Sequence, residues 1–214
     1  MGTREIWRPL FPLQLVLFPE ERLPLHIFEE RYQQMIRRCQ TSEESFGVVL
    51  ARGSELARVG CEAALADVLQ HYPDGRSDIV TVGGSRFACQ EVRTHADGYL
   101  EGRIGSYEDI PSDLPTKSGE LLLDLLSRLR SEQGREPDPE DQADPIDPSI
   151  PGYTFRIAAQ CPMEVEERQA LLELRKEGAR EESLLLQFAQ AIPRARQQRE
   201  DQFRVHTNGH LKHS

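Results

Sequence analysis

The sequence predicts an α+β fold, with a β-rich amino-terminal lobe carrying one early helix and a helical lobe after it. Three features carry that prediction. The apolar period changes near Phe28, from short runs bounded by prolines to helical spacing. Short alternating segments separated by Gly, Pro and Asp turn signals follow from Phe46 to Tyr107. Beyond Lys117 the leucines recur at helical intervals.

The chain is organised around Pro9 to Cys39. Its apolar runs Leu13–Phe18 and Leu23–Phe28 read as extended chain on either side of a tight turn at Pro19-Glu20-Glu21. Phe28, Tyr32, Met35, Ile36 and Cys39 then mark one face of an amphipathic helix. Thr41–Ser45 is a polar break, Phe46–Ala51 a buried strand, and Arg52–Gly60 a loop. Cys61–Tyr72 has helical propensity. The Pro73-Asp74-Gly75-Arg76 turn and the run Ile79–Val82 behind it make it one arm of a hairpin. Gly83-Gly84-Ser85 reads as another turn, and Arg86–Val92 and Tyr99–Tyr107 alternate as strands. Six or seven such strands argue for a small barrel or folded sheet.

Past residue 110 the pattern turns helical. Leu121, Leu122, Leu125, Leu126 and Leu129 form one stripe. Ser131–Gly152 holds five prolines and seven acidic residues against one arginine, so it reads as a mobile loop. Short helices are expected at Tyr153–Ala159, Val165–Leu174 and Arg180–Ile192, with Pro193 as a kink or stop. The predicted organisation is a β lobe over residues 8–110, a helical lobe over 116–193 and a charged, flexible tail over 194–214.

Composition narrows the function. The formal charge is −10, and no dense basic cluster offsets it, which argues against a phosphate-tracking nucleic-acid surface. Cys39, Cys61, Cys89 and Cys161 form no CxxC pair and read as buried thiols of a reducing, cytoplasmic compartment. No apolar run approaches membrane-spanning length, and no leader architecture precedes Leu10.

Motifs of enzyme chemistry are missing from the sequence: no GxxxxGK[ST], no GxSxG, no HExxH, and no Ser–Lys pairing among its three lysines. His206, His210 and His213 have a spacing that could hold a metal on a helix, but no carboxylate or thiol lies beside them. No metal or cofactor is expected.

FPLQLVLFPEERLPLHIFEERY, from Phe11 to Tyr32, resembles the opening signature of the Lon amino-terminal domain, the polypeptide-recognition part of ATP-dependent Lon proteases. The match continues through FGVVLA, Val59-Gly60, the Pro-Asp-Gly hairpin, Gly83-Gly84-Ser85-Arg86-Phe87 and the helix EERQALLEL. Coverage is roughly Arg8 to Ile192. The resemblance implies a PUA-like β-barrel followed by a helical bundle. Neither the ATPase nor the protease motifs of Lon are present, so the chain looks like a stand-alone substrate-binding-domain protein. Lon activity is not carried over with the resemblance.

The function this implies is non-catalytic recognition of unfolded or exposed apolar polypeptide, as an adaptor or chaperone-like holder beside an ATP-dependent protease or a chaperone. Phe11, Leu13, Phe18 and Leu23 either fill the core or line a binding groove, and the sequence does not separate the two. His26 either fixes the strand-to-helix junction or anchors a ligand beside that groove, and Arg31 either pairs at the surface or orients a bound chain. The alternatives are a PUA-like RNA-binding module, disfavoured by charge, and a hydrolase using Cys or His.

Overall fold

The computed structural model describes residues 6–111, 118–135 and 144–209. In chain order the elements are β1 (Ile6–Leu13), β2 (Arg22–Ile27), α1 (Glu30–Ser42), β3 (Phe46–Arg52), β4 (Glu55–Leu56), β5 (Val59–His71), β6 (Ser77–Thr94) and β7 (Leu100–Ser106). Four helices follow: α2 (Gly119–Gln133), α3 (Tyr153–Ala159), α4 (Val165–Glu173) and α5 (Glu177–Gly209). They form an α+β protein of two units, one of residues 1–111 with 164–175, the other of residues 112–163 with 176–214.

In the first unit the strands pair in the order β1-β7-β6-β5-β3-β4. All neighbours are antiparallel except β1 and β3, which pair in parallel from Leu10↔Gly47 to Leu13↔Leu50. That parallel pair returns the path to its first strand, so β1, β7, β6, β5 and β3 make a closed circuit of hydrogen bonds. β1 pairs with β7 over Ile6–Leu10 and with β3 over Leu10–Leu13. Each half of β1 therefore has an unladdered side, which is how a strand accommodates both Pro9 and Pro12.

Leu10, Val49, Phe87 and Ile104 make one core cluster. The Phe87 ring lies where side chains at Gly47 and Gly60 would be: a Cβ at either glycine would come within 2.6 Å of it. A second cluster gathers Phe11, Leu17, Ile27, Phe46, Ile79 and Tyr99 under the buried face of α1, with Tyr32, Met35, Ile36 and Cys39. The period change near Phe28 thus marks a boundary between strand and helix, but Phe28 itself precedes α1 and is exposed instead of joining its buried face.

Several expectations need correction. The run Leu13–Phe18 is not a strand. β1 ends at Leu13, and Val16, Leu17 and Phe18 are buried from a non-repetitive segment that closes in a turn at Phe18–Glu21. Glu20 sits there at φ 64°, stabilised by its N–H donating to the Gly83 carbonyl (2.8 Å). Gly83-Gly84-Ser85 is not a turn either, because β6 runs unbroken through it. A Cβ on Gly83 would lie 1.9 Å from the Phe18 carbonyl oxygen, so this glycine serves a close backbone approach. β4 interrupts the expected loop Arg52–Gly60.

The helix α4 groups with the sheet unit rather than with the helices on either side of it in sequence. Three contacts bind it there. The Arg168 guanidinium donates to the Glu21 carboxylate (2.6 Å) and the Val16 carbonyl, and lies 4.3 Å from the Phe18 ring centre. Gln169 donates to the Val59 carbonyl, and buried Arg86 donates to the carbonyls of Leu172 and Leu174 and to Asp109. The amino end of α4 lacks a Ser, Thr or Asp cap. Glu167 supplies a substitute, its carboxylate accepting from the Glu164 N–H at 2.9 Å.

In the second unit α2 packs on α5 through Leu122, Leu126 and Leu129, while Leu121 is half exposed. Buried Arg180 donates to Thr154 of α3 and to Glu177, and Tyr153 pairs with Glu181. Of the kink or stop expected at Pro193, the stop does not occur, because helix α5 runs through the proline. The buried stripe Leu184, Phe188, Ala191 and Ala195 continues past the proline, and that packing outweighs the lost backbone bond. The segment expected as a tail is thus helical as far as Gly209. Of the expected acidic loop, residues 136–143 lie outside the described residues, and residues 131–133 close α2. No helix among the described residues is long and apolar enough to cross a membrane.

Candidate functional site

Between the hairpin tip and Gly83, β6 is flanked by β2 on one side and by the distal half of β5 on the other. These three strands form an arm, and register fixes what each face carries. Leu23, Thr81 and Leu65 stand in one row, and Leu25, Ile79 and Val68 in the next row of the same face. Thr81 and Ile79, on the central strand, are fully buried. Leu23, Leu25, Leu65 and Val68, on the outer strands, are only partly buried, and with Leu13 and Leu15 they make a half-exposed aliphatic rim on the second core cluster.

The opposite face carries Pro24, Val80 and Asp67 in one row and His26, Asp78 and Gln70 in the next. Here the His26 Nδ1–H donates to Asp78 Oδ1 at 2.5 Å, and the Tyr72 hydroxyl donates to Asp78 Oδ2 at 2.7 Å. The hydrogen bond from His26, then that from Tyr72, hold the Asp78 carboxyl below its ordinary range. The rings of His26 and Phe28 stack at 6.0 Å, and Phe28 is 62% exposed.

The predicted site residues divide among these places. Phe11 is core, its ring centre 4.2 Å from that of Tyr32, and Phe18 is fully buried. Neither can line an open groove. Leu13 and Leu23 are partly buried and pack against the second core cluster. His26 stands on the face opposite Leu23 and bonds Asp78 across the sheet, in place of the turn-fixing role. Arg31, on α1, donates to Glu29 (2.9 Å) and covers the Tyr32 ring, so both its charge and its plane are engaged. The structure therefore does not gather the six residues into one groove. Sequence reading missed Leu15, Leu25, Leu65 and Val68. Leu25 was legible as the alternate position to Leu23. Leu65 and Val68 were not, because β-bulges between Leu65 and Asp67 and between Val68 and Gln70 break the two-residue period of β5.

Burial pushes the Cys39 thiol up to about 11 and the Cys61 thiol up to about 12, the reverse of nucleophile activation. Among the described residues no group of three or more His, Cys, Asp and Glu side chains could hold a metal. His210 and His213 lie outside the described residues.

A second charged cluster ties α1 to the sheet. Glu101, 3% exposed at its side chain, accepts from Arg38 (2.8 Å) and Arg93 (2.7 Å), and Arg38 also donates to the Tyr99 hydroxyl. Burial alone would push the Glu101 carboxyl up. The hydrogen bonds from Arg38 and Arg93 outweigh it and hold the group below its ordinary value.

Comparison with known proteins adds the following. The family model described as the ATP-dependent protease La (LON) substrate-binding domain matches residues 7–186. A Lon protease of Porphyromonas gingivalis is 30% identical over 127 residues, 55% of this chain and 14% of that protein. Protein cereblon of Xenopus tropicalis is 31% identical over 127 residues, 56% of this chain and 28% of that protein. The chain thus spans well under a third of either relative. The crystal structure of a Lon N-terminal domain protein from Xanthomonas campestris superposes with a TM-score of 0.66 at 28% identity, over 85% of this chain and 98% of that one.

Proposed function

The chain belongs to the LON substrate-binding domain family, and from that membership we propose that it binds unfolded or partly exposed polypeptide at the aliphatic rim of the arm. On this reading it performs no chemistry of its own and serves as an adaptor or chaperone-like holder. The closed circuit of β1, β7, β6, β5 and β3 is read as a PUA-like barrel whose wall supports the rim.

One observation carries the reading. Leu13, Leu15, Leu23, Leu25, Leu65 and Val68 are each only partly buried, yet all pack on one core. Covering them with apolar side chains of a ligand would remove further surface from water, at about 25 cal/mol per Å² of apolar area. Aliphatic contact of this kind is sequence-tolerant, and ordering a flexible ligand offsets several kcal/mol of it, so affinity is weak.

Fluorescence anisotropy with two labelled ligands tests the proposal: a permanently unfolded polypeptide and a single-stranded RNA of similar length, each at low and high salt. Polypeptide binding should persist at high salt. Leu25→Asp should weaken it at least tenfold with a change in thermal midpoint of a few degrees, whereas Phe18→Asp should unfold the protein, because it buries a carboxylate in the core. RNA binding that collapses with salt, with no polypeptide binding, would reverse the assignment.

A further inference from the structure

Polypeptides are often recognised by strand addition, in which an extended segment pairs its backbone with an open sheet edge. The arm has two edges on which this could occur. Among the described residues no strand pairs with β2 on the side away from β6, and β3 pairs with β5 only over Cys61–Ala63, leaving the distal half of β5 without a second neighbour.

Both edges are built against it. Pro24 stands in the middle of β2, directly opposite Val80. Proline has no backbone N–H and is tolerated in a strand where its nitrogen faces away from the ladder, so the donor missing at Pro24 is one that the outer edge would have offered. On β5 the two bulges fall within six residues, between Leu65 and Asp67 and between Val68 and Gln70. Each leaves a residue out of register and twists the strand, so no straight run of alternating donors and acceptors faces outward.

Charge specifies the occupant. Residues 20–31 and 64–78, which contain the arm and its flanks, carry seven carboxylates against three arginines, and Arg168, which pairs with Glu21, makes the balance seven to four. Resting on the recognition reading above, we propose that the rim takes an extended apolar segment flanked by basic residues and reads it through side chains alone, with Pro24 and the β5 bulges excluding backbone pairing. Such a site is indifferent to chain direction and to the ligand's backbone hydrogen bonds. It therefore accepts an unfolded chain without requiring a particular register.

The test uses the full chain and a labelled peptide of alternating leucine and serine flanked by lysines. An ester replaces the amide at every second position in a companion peptide, deleting backbone donors with little change of shape. The esterified peptide should bind within about threefold of the parent, and a glutamate-flanked version should bind at least fivefold more weakly at low salt, the gap closing at high salt. Pro24→Thr restores an edge donor. In that variant the parent peptide should bind more tightly than the ester, or the protein should self-associate with rising concentration. A tenfold or greater loss on esterification in the unaltered protein would overturn side-chain reading while leaving polypeptide recognition intact. Equal binding of lysine- and glutamate-flanked peptides would overturn the charge selection. Failure of the parent peptide to bind, even at low salt, would remove the recognition reading itself.

Discussion

At the scale of single residues, the positions that matter most are those where another group already occupies the space. Gly83 is the sharpest instance: its missing side chain admits the Phe18 carbonyl, and both its backbone groups bond the turn that Phe18 opens. Neither partner can retreat, since Phe18 is fully buried and held under Arg168. Gly83→Ala is therefore expected to cost about 3 kcal/mol, at the upper end for overpacking, read as a fall in urea midpoint at constant slope. Glu101 is a different case, a buried carboxylate held by two partly exposed arginines. Its folded-state value is depressed, so the stability it contributes is complete above the unfolded value of about 4.5 and is lost as pH falls through the folded one. Glu101→Gln should cost about 1–3 kcal/mol at pH 7, discounted for solvent around the arginines. The difference in thermal midpoint from the unaltered protein should shrink steadily below pH 4.5. A constant difference from pH 7 to pH 3 would show that the effect is packing and not charge.

At the scale of elements, the pattern of agreement between sequence and structure has a physical cause. Helix α1 and strand β2 were legible because each buries one face and exposes the other, so the period survives in the sequence, whereas β3 was legible as a short, continuously apolar run buried on both faces. Even the helix-prone stretch in β5 was readable, since the Pro73–Arg76 turn demands a hairpin. What failed was local punctuation that tertiary contacts override. Gly83-Gly84 marks a close approach and not a turn. Pro193 lies inside a helix because the stripe on either side of it is buried. Phe11 and Phe18 look identical to groove residues in sequence, where apolar character alone does not tell a core from a binding surface. The rim was half legible for a related reason. Leu13 and Leu23 stand in clear patterns, whereas Leu65 and Val68 sit beside bulges that hide the alternation. The substitutions Leu25→Asp and Phe18→Asp separate these categories directly, because the first alters a surface and the second a core.

At the scale of the whole molecule, chain order and spatial grouping disagree, and the disagreement is testable. The chain leaves the sheet unit at Pro111 and comes back for the twelve residues Glu164–Arg175 before departing again. That return carries α4, which fills positions the strands leave open. Leu171 and Leu172 are buried, Arg168 neutralises Glu21 at the Phe18 turn, and the last carbonyls of the helix accept from Arg86. The exit and return segments are also stitched to each other, with the Ile110 N–H donating to the Arg175 carbonyl at 2.8 Å and the Arg175 guanidinium to the Glu108 carbonyl at 2.7 Å. A fragment of residues 1–111 would keep the Arg86–Asp109 pair but lose the Leu172 and Leu174 carbonyls and uncover the apolar surface that Leu171 and Leu172 bury, a loss of several kcal/mol against a total stability of about 5–15 kcal/mol for a domain of this kind. It should melt broadly or not fold. Joining residues 1–111 to 164–175 through about ten glycine and serine residues, whose root-mean-square reach is about 17 Å and exceeds the roughly 14 Å length of α4, supplies the helix without the rest of the second unit. That fusion should give a single cooperative thermal transition by circular dichroism and retain polypeptide binding. If residues 1–111 melt as sharply, and at the same temperature, as the fusion, α4 is an accessory to the sheet and the Arg86 contacts add nothing to its stability.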